Sequence, residues 1–215
     1  MKKFEDEMDA LIEDTLEMGE LTSMMIENSV KALSKGDTEL AEDTSNKYRR
    51  ITQLDSSIEN DALRILMLYQ PMSSDMRVVA TILKIITYLE RIGKYSKNIA
   101  KAAIFLSTNP SVCSMDGIPA MGEIAVKMVR DAVLAFKNRD ISDLHDYSER
   151  DTYLDSMRKE VLRENMIHIH EDPSSVDACI YYISVSRYIE RVGDHSCKIA
   201  EKVTYMVTGK HVEID

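Results

Sequence analysis

Tryptophan is missing from the 215 residues, and glycine and proline are scarce, at seven and four. So few breakers leave room for long uninterrupted elements. Cysteine numbers only three, Cys113, Cys179 and Cys197, an odd count with no CxxC pair. This argues against a disulfide framework or a thiolate zinc site. The three read as small buried hydrophobes in a reducing compartment. No stretch approaches the roughly 18 uninterrupted apolar residues of a bilayer span. A Lys/Arg-rich block is also missing, and the net charge is −10. Such a chain repels nucleic-acid phosphates and suits cations or basic partner surfaces, so no direct nucleic-acid binding is expected. Acidic residues interrupt Met1-Lys2-Lys3-Phe4-Glu5-Asp6-Glu7, which predicts no signal peptide. The expected location is cytoplasmic, with membrane contact only through a partner.

What is present points to helix. The apolar fraction of 44% and charged fraction of 30%, with 14 methionines, fit a folded, helix-rich protein. Ile82, Ile85, Ile86, Leu89, Ile92 and Ile99 fall on one stripe at helical spacing. Ile180, Ile183, Val192 and Ile199 suggest a second stripe. Gly36-Asp37 reads as a helix end followed by a cap. Pro71 with Ser73-Ser74-Asp75 reads as a stop and restart, and Asp140 and Asp172-Pro173-Ser174 as two more turns. The densest loop signal, with Ser107, Asn109-Pro110, Gly117 and Pro119, spans 107–119. The punctuation predicts helices at about 4–35, 38–69, 74–106, 119–138, 141–170 and 174–208.

An internal repeat organises these six helices. Tyr88-Leu89-Glu90-Arg91-Ile92-Gly93 returns 100 residues later as Tyr188-Ile189-Glu190-Arg191-Val192-Gly193. Ser96, Ile99 and Ala100 return at the same offset. Earlier in each half the offset is 103, where Met18-Gly19-Glu20 matches Met121-Gly122-Glu123 and Asp37 matches Asp140. The shift falls near Pro71 and Pro173, where a loop tolerates length change. The expected fold is all-α, two tandem three-helix bundles related by duplication. The first bundle takes residues 1–107, the linker 108–118 and the second bundle 119–215.

Gly93 and Gly193 sit mid-helix, where glycine costs about 1 kcal/mol against alanine, so a neighbour should come close there. In the second half, Asp151 with Asp155 and Glu190 with Asp194 are i, i+4 pairs. Like charges at that spacing destabilise a helix by about 0.2–0.5 kcal/mol. Two such pairs on facing helices suit a hard cation such as Mg²⁺, Mn²⁺, Ca²⁺ or iron. A solvated acidic face is the other reading, since Glu39 and Asp43 share the spacing. His195 reads as an exposed helical histidine, with a place behind Asp194 at a metal site as the alternative, and His168 and His170 as partners of a helix C-terminus. Arg91 and Arg191 read as salt-bridge partners of nearby carboxylates, and Met18, Met24 and Met25 as core.

Glu190-Arg191-Val192-Gly193-Asp194-His195 resembles the E-R-[IV]-G-D-x signature of the PhoU family. Arg150-Asp151-Thr152-Tyr153-Leu154-Asp155 resembles its second-helix motif. Gln70-Pro71 with Ser74-Asp75-Met76-Arg77, and Tyr205-Met206-Val207-Thr208-Gly209-Lys210, resemble its turn and closing segments. The resemblance covers nearly the whole chain. It implies metal sites of iron or zinc (alternatively Mg²⁺, Mn²⁺ or Ca²⁺), held here by Asp151, Asp155, Glu190 and Asp194. In the first half the matching positions are Tyr48, Thr52, Glu90 and Lys94, so that site is expected to be lost, with Lys94 pairing Glu90. The resemblance further implies a non-enzymatic, homodimeric regulator that restrains phosphate uptake. Its partners would be a phosphate-transporter ATPase and a phosphate-sensing histidine kinase. An accessory subunit of another phosphate or ion transporter is an alternative. A carboxylate-bridged di-metal enzyme is another, but none of the five histidines has the Glu-x-x-His spacing of the redox version.

Overall fold

A computed structural model describes residues 2–109 and 113–214; Pro110 of the central loop lies outside the described residues. Six helices carry the described residues: α1 (Lys2–Lys35), α2 (Thr38–Tyr69), α3 (Ser73–Thr108), α4 (Ile118–Asn138), α5 (Tyr147–Glu171) and α6 (Val176–Thr208). Short 3₁₀ turns, Ser142–Leu144 and Pro173–Ser175, precede α5 and α6. No strand occurs among the described residues. The fold is all-α, two repeats of three helices.

The turns follow from their residues. Gly36 takes φ +64° to end α1, and the Asp37 carboxylate accepts the Leu40 amide at 2.9 Å to begin α2. The matching Asp140 behaves differently. Its carboxylate accepts the Ser142 amide two residues on, at 3.0 Å, and folds a 3₁₀ turn instead of capping a helix. So α5 begins at Tyr147, not at the expected 141. Arg150 pins that start by pairing with Asp131 of α4 at 2.6 Å and with Asp146 at 2.9 Å.

The α3 stripe is buried as expected, from Ile82 through Ile99. The α6 stripe is shifted. Val185, Ile189, Val192 and Ile199 are fully buried, but Ile180 is 51% exposed, because it points off the face that meets α3 and α4. Met18 and Met25 are core, whereas Met24 lies at the surface.

The cysteines overturn their expectation in part. Cys197 is a free buried thiol, but Cys113 and Cys179 form a disulfide with Cα atoms 5.4 Å apart. Adjacent cysteine spacing carries no trace of it, because the link joins the inter-bundle loop to the start of α6, 66 residues away.

Two antiparallel helix pairs join the bundles. Along α1 and α4, Gly19 faces Val133 and Gly122 faces Val30. These are one contact made twice, since Gly122 and Val133 stand 103 residues after Gly19 and Val30. Along α3 and α6, Tyr88 stacks on His195 at 5.7 Å and Tyr95 on Tyr188 at 5.8 Å. This too is one contact made twice, at the offset of 100. The halves are therefore related by a local two-fold axis that passes beside Tyr95 and His195, themselves stacked at 5.7 Å. Such reciprocal pairing is the mark of an isologous interface. α2 and α5 lie outside, each against its own bundle.

Candidate carboxylate site in the second bundle

Gly193 is the pivot of the site. A methyl group there would come within 2.7 Å of Leu154 Cδ1 and 3.3 Å of Asp151 Oδ1. Its absence lets α5 press against α6 and brings Asp151 beside Asp194 and Cys197. Gly93 does the same in the first bundle, meeting Ile51 at 3.2 Å and Tyr48 at 3.6 Å. The mid-helix glycines thus have the close neighbours that their spacing predicts.

Asp151, Asp194, His195, Cys197, Lys198, Tyr88, Arg191 and Ile214 line a pocket of about 450 Å³. Burial lifts the Asp151 carboxyl above its ordinary range, and the charges of Asp194 and Asp155 add to this. Glu190 is lifted by burial and by Asp194, against the opposing pull of Arg191 and Arg158. The structure therefore brings all four expected carboxylates into one electrostatic cluster. Positive charge is already threaded through it. Arg191 pairs with Asp194 at 2.9 Å and approaches Glu190 at 3.6 Å, while Arg158 approaches Glu190 at 3.7 Å. Glu190 Oε2 is buried without a hydrogen bond. Among the described residues, no three His, Cys, Asp or Glu side chains converge as a ready metal cage.

Three further neighbours complete the site. His195 is not an exposed histidine. It is wedged between Tyr88 and Tyr95, and burial, helped by Arg91 and Arg191, lowers its pKa to about 4. Burial pushes the Cys197 thiol well up, with the Asp151 charge adding to it, which leaves it protonated. Arg158, which approaches Glu190 from the facing helix, stands where the first half has Asp55. The repeat offset was the one signal that could have exposed it.

The first bundle has rebuilt the same place with other residues, and there Asp55 rather than an arginine lies near Glu90. The Tyr48 hydroxyl donates to Glu90, and Lys97 sits over the Tyr48 ring at 4.6 Å. Burial, and then the bond to Glu90, push Tyr48 up to about 12. Lys94, expected to pair with Glu90, is exposed instead. Tyr48 reaches Glu90 from the facing helix, and the carboxylate is taken.

Comparison with known proteins matches this architecture. The PhoU domain pattern fits residues 15–103 and again 118–203. A Xylella fastidiosa protein named phosphate-specific transport system accessory protein PhoU homolog is 30% identical over 99% of this chain and 89% of its own length. The crystal structure of PhoU from Pseudomonas aeruginosa superposes with a TM-score of 0.92 at 31% identity, covering 96% of this chain and all of that one. The phosphate transport system regulatory protein PhoU from Streptococcus pneumoniae superposes with a TM-score of 0.87 at 29% identity, over 98% of this chain and 99% of its own. With both repeats matched and the signature Glu190-Arg191-Val192-Gly193-Asp194 folded into a carboxylate cluster, the chain belongs to the PhoU family.

Proposed function

We propose that this protein is an accessory regulator of a phosphate-specific transport system, acting by binding to restrain high-affinity uptake. The observation that carries this is the match along nearly the whole chain, in both repeats, to relatives named as accessory or regulatory proteins of phosphate transport. No helix among the described residues is long and apolar enough to cross a membrane. Contact with the transporter would therefore run through a partner such as its ATPase, and contact with signalling through a sensor kinase. A cytoplasmic location belongs to the same proposal. In a reducing cytosol Cys113 and Cys179 would be held as thiols. A homodimer likewise belongs to the proposal. Deleting the gene is expected to raise a phosphate-starvation reporter several-fold in high phosphate. An unchanged reporter overturns the reading.

The carboxylate cluster fits a cation in donor type. Glu190 Oε2 lacks a hydrogen-bond partner, and the charges of Asp194 and Asp155 add to burial in holding the Asp151 carboxyl up. Iron or zinc, or a harder divalent ion, would relieve both. Arg191 would then have to release Asp194, so guanidinium and metal are alternative counter-charges. Purified wild-type protein is expected to carry metal, and the Asp151→Ala/Asp194→Ala double variant to lose it. Elemental analysis decides: metal retained by the double variant removes the second-bundle site, and two equal sites per chain restore the first.

A further inference from the structure

Exposure along α3 is confined to one line. Between Thr81 and Leu106 the exposed residues are Lys84, Thr87, Arg91, Lys94 and Lys101, spaced three, four or seven apart. That spacing keeps them on a single helix face. It also explains why no basic block is visible along the sequence. The other faces of α3 are taken by α1, α2 and α6. On α6, between Tyr181 and Val207, the exposed residues are Arg187 and Arg191. Arg91 and Arg191 are repeat equivalents, and both stand close enough to His195 for their charges to act on its ring. The two lines therefore meet across the α3–α6 seam as one cationic ridge. From Lys84 to Lys101 it runs about 26 Å at the helical rise.

The ridge stands out on a chain of net charge −10. Helix α3 holds six Lys/Arg against two acids, whereas α1, packed behind it, holds four against nine. Arg191 pairs with Asp194 at 2.9 Å and Lys198 with Glu201 at 2.7 Å. Among the described residues, Lys84, Arg91, Lys94, Lys101 and Arg187 form no ion pair, so their charge is not neutralised inside the fold. Asp55 on α2 and Asp151 and Asp155 on α5 flank the ridge, but all three are half-buried. The four-carbon stem of a lysine carries its ammonium clear of the helix.

The face lacks what a protein partner would grip. None of the exposed large apolar side chains falls in these stretches of α3 and α6, and Tyr88, Tyr95 and Tyr188 are engaged in the seam stacks. Protein interfaces rest on buried aromatic and apolar anchors and are poor in lysine. A lysine-rich face without anchors suits an array of phosphate headgroups, where each cation is attracted without a fitted pocket. The acidic α1 behind it makes the molecule asymmetric in charge and turns the ridge towards a negative surface.

We propose that the outer face of α3 and α6, Lys84 to Lys101 with Arg187 and Arg191, docks on the anionic surface of a lipid bilayer. The docking rests on neither the metal nor the phosphate-transport reading, and it adds a direct contact to the partner-mediated one above.

Full-length protein is sedimented with vesicles of phosphatidylcholine containing about a third phosphatidylglycerol, and with phosphatidylcholine alone. Binding is expected to the first only. It should fall at least tenfold as salt rises from about 0.05 M to about 0.5 M, where the Debye length is a few ångströms. Lys84→Glu/Lys101→Glu is compared with Lys31→Glu/Lys35→Glu on α1, which makes the same change in net charge on another face. All four positions are exposed and glutamate is a strong helix former, so both variants should keep the wild-type urea midpoint. The ridge variant is expected to bind at least tenfold more weakly than the α1 variant. Equal binding by the two variants, no vesicle binding at low salt, or equal binding to both kinds of vesicle overturns the proposal. Release from the vesicles by duplex DNA at equal phosphate concentration would assign the ridge to nucleic acid and overturn it as well.

Discussion

Replacing Cys113 with serine is expected to lower the unfolding free energy of the oxidised protein by about 4 kcal/mol, the chain-entropy value for a loop of this size. The disulfide closes a sequence separation of 66 residues, and the cost of that closure is lifted from folding by the covalent bond. In the folded state the link holds the inter-bundle loop against the start of α6. There Asn165 of α5 also donates to the Ser114 carbonyl at 3.0 Å. Urea denaturation with and without dithiothreitol checks this. Wild type should lose stability on reduction and Cys113→Ser should not change. Cys197→Ser should keep the full redox response, because Cys197 is outside the bond. A wild-type midpoint indifferent to reductant would show that the pair contributes nothing as a cross-link.

Gly122→Leu is expected to cost about 3 kcal/mol, the upper end of ordinary overpacking. Alanine in place of a helical glycine gains about 1 kcal/mol in propensity, so the sign rests on the space available. A Cβ at Gly122 would lie 2.7 Å from Val30 Cγ1, and one at Gly19 the same distance from Val133 Cγ2. These methyls sit one bond from a β-branched carbon on a buried helix face and have little rotameric freedom. The clash must therefore push α1 and α4 apart. At Gly93 the nearest atom is 3.2 Å away, so Gly93→Ala should be close to neutral. Adding Val30→Ala to Gly122→Leu should recover part of the loss, and a double-mutant cycle by chemical denaturation measures how much. No recovery would mean that the α1–α4 seam does not transmit the strain through Val30.

The two seams also give the duplication a physical meaning. Glu27 and Arg130 occupy equivalent repeat positions and pair across the local axis at 2.6 Å. Identical side chains there would repel or leave each other unpaired. Fusion of the repeats in one chain allows the two copies to differ and to become complementary. The carboxylate sites have diverged in the same way. Asp151, Asp155 and Asp194 persist in one half, while Tyr48, Thr52 and Lys94 stand in the other.

Helical class, the number of helices, the repeat and the four carboxylates could all be read along the chain. Each rests on local chemistry: apolar residues at helical period, a glycine or aspartate at a turn, an acid four residues from another. The errors lay where one helix must meet another. The start of α5 moved because Asp140 found Ser142 before it could cap a helix. Glu90 took Tyr48 rather than Lys94. His195 was drawn out of solvent by two tyrosines of α3, and Cys113 found Cys179 across 66 residues. Periodicity shows which face of a helix is apolar, but not which helix will cover it. The sequence by itself determined the elements, their duplication and the acids available for a site. Only the tertiary structure decided their partners, because burial and long-range contact set the final energy of each charge, ring and thiol.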